Sequence, residues 1–421
     1  MTNRNKLRDT LRNNIISKWF QEECIGWALA AMGTGKSRII AEAINKFMES
    51  EYSEGINDCH YPILIGVPSR YLRDQELPNE LEKWGCKHKV KIACYQSICK
   101  WNKTIGLFIA DELDFALSEE EKYMKSFTNN YISYFFGLTG TMIESKYFQT
   151  LKTIHRHPFF EYPLRKAQID GVINKTEIWL HQVPFILDPY EDTPYGEISK
   201  YKWIQKHISE AKEEIEFGWH ILKNQSQSTP LAIQIAQEKI DKYNGIKKYW
   251  ESSGRNKNSR LKFLRSSEST KQYARNLKEA IFEYNEDNKV IIFSVYTRDV
   301  DEITPYAYHG KSDNPEVIQQ FNRGEIRELG ACKKVNRGVN FTGLNHCIVQ
   351  SYTTSLTNAM QAYIGRMVRL DPDETAYIHM LYSVYWINNQ IQYAHNYQWI
   401  QDLLSNEELS HINVYNYDEG L

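Results

Sequence analysis

At 421 residues the chain is too long for one ordinary core and sufficient for two or three. Its 42% hydrophobic and 25% charged content is that of a soluble globular protein, and no run approaches the ~20 apolar residues needed to span a bilayer. A formal net charge of −2 excludes a uniformly basic nucleic-acid binder, so any polyanion site must be a local patch on a neutral body. The first residues, Met1 to Arg12, are polar and basic without an apolar h-region; no secretory signal is expected, and the expected location is cytoplasmic. Seven cysteines, none in a C-x-x-C pair, read as reduced thiols rather than a disulfide framework or a zinc site.

Along the chain, short apolar runs predict strands at Gly26–Ala31, Ile63–Val67, Val90–Cys94, Gly106–Ala110 and Tyr134–Leu138, with helices between them such as Ser37–Met48 and Leu72–Trp84. Runs such as Leu107-Phe108-Ile109-Ala110 are apolar on both faces, as buried parallel strands are. From about Tyr195 to Glu279 the pattern becomes long, charged and helical; strands then return at Val290–Phe293, Leu329–Cys332, Cys347–Gln350 and Tyr377–Leu381, with a helix at Leu356–Arg369. The expected fold is α/β, with two RecA-like parallel-sheet domains in tandem. Lobe 1 is expected at 1–155, lobe 2 at 156–390 with a helical insertion at about 190–280, and a C-terminal tail at 391–421.

The segment Ala30-Ala31-Met32-Gly33-Thr34-Gly35-Lys36-Ser37 follows a strand and opens a helix, the context a phosphate-binding loop requires. Gly33 and Gly35 let the backbone curl so that its N–H groups, that of Thr34 included, point at a polyphosphate. The helix N-terminus adds partial positive charge. Lys36 is placed to reach the β- and γ-phosphates of ATP, and Ser37 to hold Mg²⁺. Asp111-Glu112-Leu113-Asp114 ends the strand through Ile109-Ala110. Alone, such a pair reads as an acidic helix cap; with the loop upstream, Asp111 becomes the Mg²⁺ ligand and Glu112 the base that orients the attacking water.

These segments resemble the first two motifs of superfamily 2 helicases, and others follow in order across about residues 7–385. Leu138-Thr139-Gly140-Thr141 resembles the third motif. Val335-Asn336-Arg337-Gly338-Val339-Asn340 resembles the fifth, with Asn340 where aspartate is usual, and implies that Gly338 and Asn340 contact the nucleotide. Gln361-Ala362-Tyr363-Ile364-Gly365-Arg366-Met367-Val368-Arg369 resembles the sixth. It implies a catalytic trio of Gln361, Arg366 and Arg369, whose arginines share a helix face and meet phosphate oxygens with a planar, permanently charged fork. Relatives often begin L-R-x-x-Q, with a glutamine that reads adenine; here Leu7-Arg8-Asp9-Thr10-Leu11 keeps Arg8 as a nucleotide contact but puts leucine in the glutamine's place.

The resemblance also implies a nucleic-acid path at the strand ends, through Ser69, Arg70, Tyr95, Gln96, Ser294 and Lys333. A second basic candidate lies in the insertion, where Arg260 and Lys262 stand among twelve Lys and Arg residues between Lys239 and Lys278, with Tyr249, Trp250 and Phe263 as stacking platforms. A solvated amphipathic helical pair is the competing reading. The segment Tyr162 to Val172 resembles the linker of phage branch-migration helicases and restriction-enzyme motor subunits. It points to DNA rather than RNA, and the resemblance as a whole implies a monomeric 3′ to 5′ DNA motor acting on single-stranded, forked or branched DNA in replication, recombination or repair; a duplex translocase that leaves the strands paired and an RNA helicase stand as alternatives.

Overall fold

The computed structural model describes residues 3–118, 123–140, 157–186, 196–224, 229–252, 255–256, 258–309, 315–332, 341–351, 363–368, 370–405 and 409–417. The chain opens with a helix, α1 (Asn3–Gln21), that sequence periodicity does not advertise. Its buried face is Leu11, Ile15, Ile16 and Trp19, and the Trp19 indole N–H donates to the Phe135 carbonyl at 2.9 Å. This pins the helix across the first sheet.

That sheet contains β1 (Ile25–Ala30), β2 (Tyr61–Val67), β3 (Lys91–Cys94), β4 (Thr104–Ala110), β5 (Tyr131–Thr139) and β6 (Phe160–Tyr162), in the order β3-β2-β4-β5-β1-β6. Every pairing is parallel. The side-chain period of two sends Ala28 and Ala30 of β1 into one core and Trp27 and Leu29 into another. The apolar runs are buried on both faces because helices cover both. Among these helices are α2 (Lys36–Met48) and α3 (Leu77–Lys83), the latter preceded by a π-type turn at Leu72–Glu76.

The second sheet contains β7 (Lys175–Pro184), β8 (Val290–Phe293), β9 (Ala307–Tyr308), β10 (Glu328–Ala331), β11 (His346–Val349), β12 (Thr375–Ile387), β13 (Gln390–Tyr393) and β14 (Asn413–Tyr417). Its order is β14-β7-β12-β11-β8-β10-β9, all parallel, and β13 alone runs antiparallel on β12. The architecture is therefore two RecA-like parallel-sheet units in tandem. The first sheet runs on to Tyr162 and the second takes in β13 and β14, so chain beyond the expected boundaries at 155 and 391 is built into sheets.

The helical insertion is narrower than its charge pattern suggests. Helices Gly196–Lys223 and Pro230–Ser252 pack antiparallel, with Gly218 admitting Ile240 so closely that a Cβ there would sit 2.6 Å from its side chain. The helix Glu268–Tyr284 instead lays Ala274 and Ile281 on Val290, Ile292 and Ile348 of the second sheet. No described helix is long and apolar enough to cross a membrane.

Three neighbouring strands place a row of imidazoles inside the second lobe. His181 of β7 meets His379 of β12 at 3.0 Å, His379 meets His346 of β11 at 3.0 Å, and His181 meets the Tyr273 hydroxyl at 3.0 Å. Burial pulls His181 and His346 down to about 4, and burial with both neighbouring rings pulls His379 well below the ordinary imidazole range. All three are therefore neutral when folded, whereas the unfolded chain takes up protons below about pH 6.5. Stability is full above that pH and falls as the pH drops toward 4. Thermal melts should show a midpoint falling steadily from pH 7 to pH 5, with a shallower slope in His379→Gln. A midpoint that holds level over that range contradicts the assignment.

Candidate functional site

The loop between β1 and α2 is shaped by two glycines with positive φ, Gly33 at 80° and Gly35 at 91°. Between them the Thr34 hydroxyl donates to the Ala31 carbonyl at 2.7 Å, closing the turn from within. The helix that follows begins at Lys36, so the Lys36 and Ser37 amides lie in its first turn, where N–H groups have no helical partner. Arg8 of α1 donates to the Gly33 carbonyl at 2.6 Å and braces the loop from behind.

Asp111 and Glu112 leave the carboxyl end of β4. The Asp111 amide donates to the Gly66 carbonyl at 3.0 Å, and the fully buried Tyr95 hydroxyl donates to the Asp111 carbonyl at 2.7 Å. The backbone then turns through Glu112 at φ 50°, a left-handed conformation that a non-glycine residue holds only where its surroundings enforce it. One Glu112 carboxylate oxygen lies 3.5 Å from the Lys36 ammonium. Burial, and then the Glu112 charge, raise the Asp111 carboxyl well above its ordinary range, against the opposing pull of Lys36. An enclosed carboxylate that is short of compensating charge, lining one cleft with the Ser37 hydroxyl, fits a hard divalent cation such as Mg²⁺.

The last residue of the acidic box is tied to the third motif, for the Thr139 hydroxyl donates to Asp114 at 3.0 Å with both groups buried. Gly140 follows, and a Cβ there would sit 3.0 Å from the Lys36 ammonium. The lysine therefore lies over a bare backbone.

The second lobe comes to this loop directly. A Cβ on Gly365 would collide with the Met32 sulfur, and one on Gly33 would lie 2.5 Å from the Val368 carbonyl. Through this contact Arg366, itself buried, lines the same cleft of about 420 Å³ as Gly33, Thr34, Gly35, Lys36, Ser37, Asp111, Glu112 and Arg8. Phe341 and Thr342 of the second lobe line it as well. Gln361, Arg369, Gly338, Asn340, Lys333 and Thr141 lie outside the described residues.

Sequence reading missed several walls of the cleft. Leu72, Glu76, Glu80 and Trp84 line it at four-residue spacing, one face of the π-type turn and α3. Arg38 stacks its guanidinium 4.5 Å from the Trp84 ring while pairing with Asp9 and Glu42 at 3.1 Å each. The signal was the i, i+4 stripe, which has the same form as an ordinary core-facing stripe.

The residues expected to meet nucleic acid divide. Arg70 is exposed, and Ser69 caps the Leu72 amide at 3.3 Å. The Gln96 amide donates to the Pro68 carbonyl at 3.3 Å. Ser294 is buried, 3.2 Å from the Ser351 hydroxyl and accepting from the Tyr296 amide at 3.3 Å. Tyr95 is enclosed and bound to Asp111, so it supports the acidic box rather than meeting a strand. Arg260 is almost enclosed beside Glu251 at 3.5 Å, and burial lowers its pKa; it holds helices together rather than facing a duplex.

Four further cations of the run are paired with carboxylates. Lys239 pairs with Glu214, Lys271 with Glu268 and Glu302, Arg275 with Glu268, and Lys278 with Glu328 and Glu279. Lys262 lines a second cleft, of about 370 Å³, with Ser266, Tyr296, Thr297, Arg298 and Asp299, just past Ser294 at the carboxyl end of β8.

Comparisons with known proteins agree with this geometry. Residues 272–371 match the helicase conserved C-terminal domain. No curated protein matches the sequence. Among solved structures the chain is similar to S. cerevisiae Dbp5 bound to RNA and ADP BeF3, at 11% identity and TM-score 0.54 over 96% of this chain and 88% of that one. It is also similar to the ATP-dependent type ISP restriction-modification enzyme LlaBIII bound to DNA, at 11% identity and TM-score 0.57 over 97% of this chain and 31% of that longer one. The chain thus shares the two-lobe fold of these structures, and residues 272–371 carry a helicase C-terminal domain, which together support a nucleic-acid-dependent ATPase.

Proposed function

We propose that this chain is an ATP-driven DNA motor of the superfamily 2 type, moving 3′ to 5′ along one strand of forked or branched DNA as a monomer. The observation that carries the reading is a single cleft walled by Lys36, Asp111 and Glu112 of the first lobe and by Arg366 of the second. ATP is held by the Gly33–Ser37 loop, and Mg²⁺ by Ser37 and Asp111. The bound cation supplies charge neutralisation on the phosphates.

Glu112 is placed to orient the attacking water, and Lys36 holds its carboxylate in position until the γ-phosphate takes the lysine over. Arg366 adds a planar donor where negative charge develops, a contribution worth ~10³–10⁵ in rate in other phosphoryl-transfer enzymes. Gln361 and Arg369 are assigned to the same face, and Gly338 and Asn340 to the nucleotide's second-lobe side. Closure and release of the lobes around ATP is the step that moves the strand. The strand runs over the carboxyl edges of both sheets, past Ser69, Arg70 and Gln96, then Ser294, Lys333 and Lys262. DNA rather than RNA rests on the linker-like segment Tyr162 to Val172.

Phosphate release measured with single-stranded DNA, forked DNA and RNA tests the reading. The native protein should be stimulated most by DNA; Lys36→Ala should reduce turnover to background, and Arg366→Ala should lower kcat by about 10³-fold. Wild-type turnover in Lys36→Ala removes the assignment.

The interlobe contact gives a separate expectation. Gly365→Val places bulk against Met32, an overpacking worth about 1–3 kcal/mol. It should cut kcat at least tenfold while the far-ultraviolet circular dichroism stays unchanged. Undiminished kcat in this variant means the two lobes do not need that approach.

A further inference from the structure

Between Tyr162, the last residue of β6, and Lys175, the first of β7, the chain crosses from one sheet to the other. One polar side chain on this crossing, that of Asn174, is fully enclosed. Its amide nitrogen donates to the Met367 carbonyl at 2.9 Å and to the Lys175 carbonyl at 2.8 Å. Its side-chain oxygen accepts from the Leu370 amide at 3.1 Å. Two of these bonds reach a segment 193 and 196 residues further along the chain.

That segment carries Arg366. The helix Gly365–Met367 is less than one turn long, so its last carbonyls find no donor within it. Asn174 supplies a donor to Met367 and an acceptor to Leu370, and so fixes the backbone on both sides of residues 368 and 369. The same stretch of the crossing touches the phosphate-binding loop. A Cβ on Gly33 would lie 3.1 Å from the Ile173 side chain as well as 2.5 Å from the Val368 carbonyl. Gly33, Ile173 and Val368 therefore meet at one point, next to the Asn174 clamp.

The clamp is itself held. Gln168, on the short helix Leu164–Ile169, donates to the Asn174 carbonyl at 3.1 Å and to the Thr176 hydroxyl at 3.3 Å. Its side-chain oxygen lies 2.6 Å from His411 Nε2. Asn174 also leads straight into β7, where Lys175 is in register with Thr375 of β12. A second tie is weaker. Arg4 of α1 donates to the Val172 carbonyl at 3.1 Å and to Asp371 at 3.0 Å, but the Asp371 side chain is 83% exposed and water competes for it. Met367 and Leu370 are buried, so removing the carboxamide leaves their backbone groups with no solvent to turn to.

We propose that Asn174 is a positioning residue for Arg366, tying the arginine's backbone to the root of β7 so that its guanidinium enters the cleft in one fixed place. This rests on the reading of Arg366 as the charge-stabilising donor and extends it to the crossing between the lobes. Asn174 does not itself line the cleft. It acts through the placement of the donor, so its loss is felt where charge develops rather than in nucleotide capture.

Single-turnover ATP hydrolysis by the full chain, with saturating single-stranded DNA, tests this in Asn174→Ala, Arg366→Ala and the double variant. Asn174→Ala should lower the maximal rate by about 10- to 100-fold, while the ATP concentration for half-maximal rate stays within about threefold of native. In the Arg366→Ala background the same substitution should cost less than about threefold, because a residue acting through Arg366 then has nothing left to place. Equal losses in both backgrounds, a native rate in Asn174→Ala, or a loss confined to ATP capture each overturn the proposal. If circular dichroism shows Asn174→Ala to be unfolded, Gln168→Ala takes its place: the rate should fall about threefold in the native background and stay level beside Arg366→Ala. No loss, or an equal loss in the two backgrounds, overturns the proposal there as well. A native rate in Arg366→Ala alone overturns the donor reading, and the positioning role with it.

Discussion

Everything the cleft can do depends on one close approach, the backbone around Gly365 and Val368 against the loop at Met32 and Gly33. Each glycine receives a group from the other lobe, Gly365 the Met32 side chain and Gly33 the Val368 carbonyl, so the two segments approach more closely than any larger residue would allow. Arg366 is carried into the cleft by its neighbour's packing rather than by reach of its own flexible side chain. A guanidinium delivered this way is pre-positioned, and the entropy of ordering it is largely spent on folding.

The polarity of the cleft follows from what each lobe supplies. The first lobe brings cation and carboxylates together from the carboxyl ends of β1 and β4, which flank β5, and Lys36 lies 3.5 Å from Glu112 over the bare backbone of Gly140. Thr139 and Asp114 then fasten the third motif to the acidic box with one buried hydrogen bond. The Glu112 turn, with its unusual left-handed φ, lies two residues before that fastened aspartate. Among the described residues, the second lobe brings the Arg366 guanidinium across the gap, beside Phe341 and Thr342.

Much of this was legible because it is local. Gly33, Gly35, Lys36 and Ser37 announce themselves through a backbone requirement and a charge that few other folds need in that order. The five apolar runs of the first sheet could be read because a strand covered on both faces is apolar throughout. β7 escaped notice for the opposite reason. Lys175, Glu177 and Gln182 interrupt it, and its buried positions include Thr176 and His181, so it lacks the run that marks a central strand. Helix α1 hid behind a polar surface for the same reason. Trp84 and Glu76 reach the cleft only because α3 crosses it, a tertiary fact that no spacing encodes.

The insertion shows how charge counting misleads when partners are distant in sequence. Between Lys239 and Lys278 the sequence offers twelve cations against Asp241, Glu251 and Glu268, yet folding brings in Glu214, Glu302 and Glu328 from outside that window. The Glu268–Tyr284 helix proves to be a wall of the second sheet, so its lysines bridge elements of the lobe instead of facing a polyanion. A basic run is evidence for nucleic acid only after the acids that fold against it have been subtracted. Here the subtraction takes Arg260 out of the contact surface and leaves Lys262 beside Tyr296 and Arg298. Even there the signs are mixed, for Asp299 lines the same cleft and Arg298 pairs with Glu302 at 2.6 Å. The basic run of the insertion therefore does not by itself argue for a polyanion site.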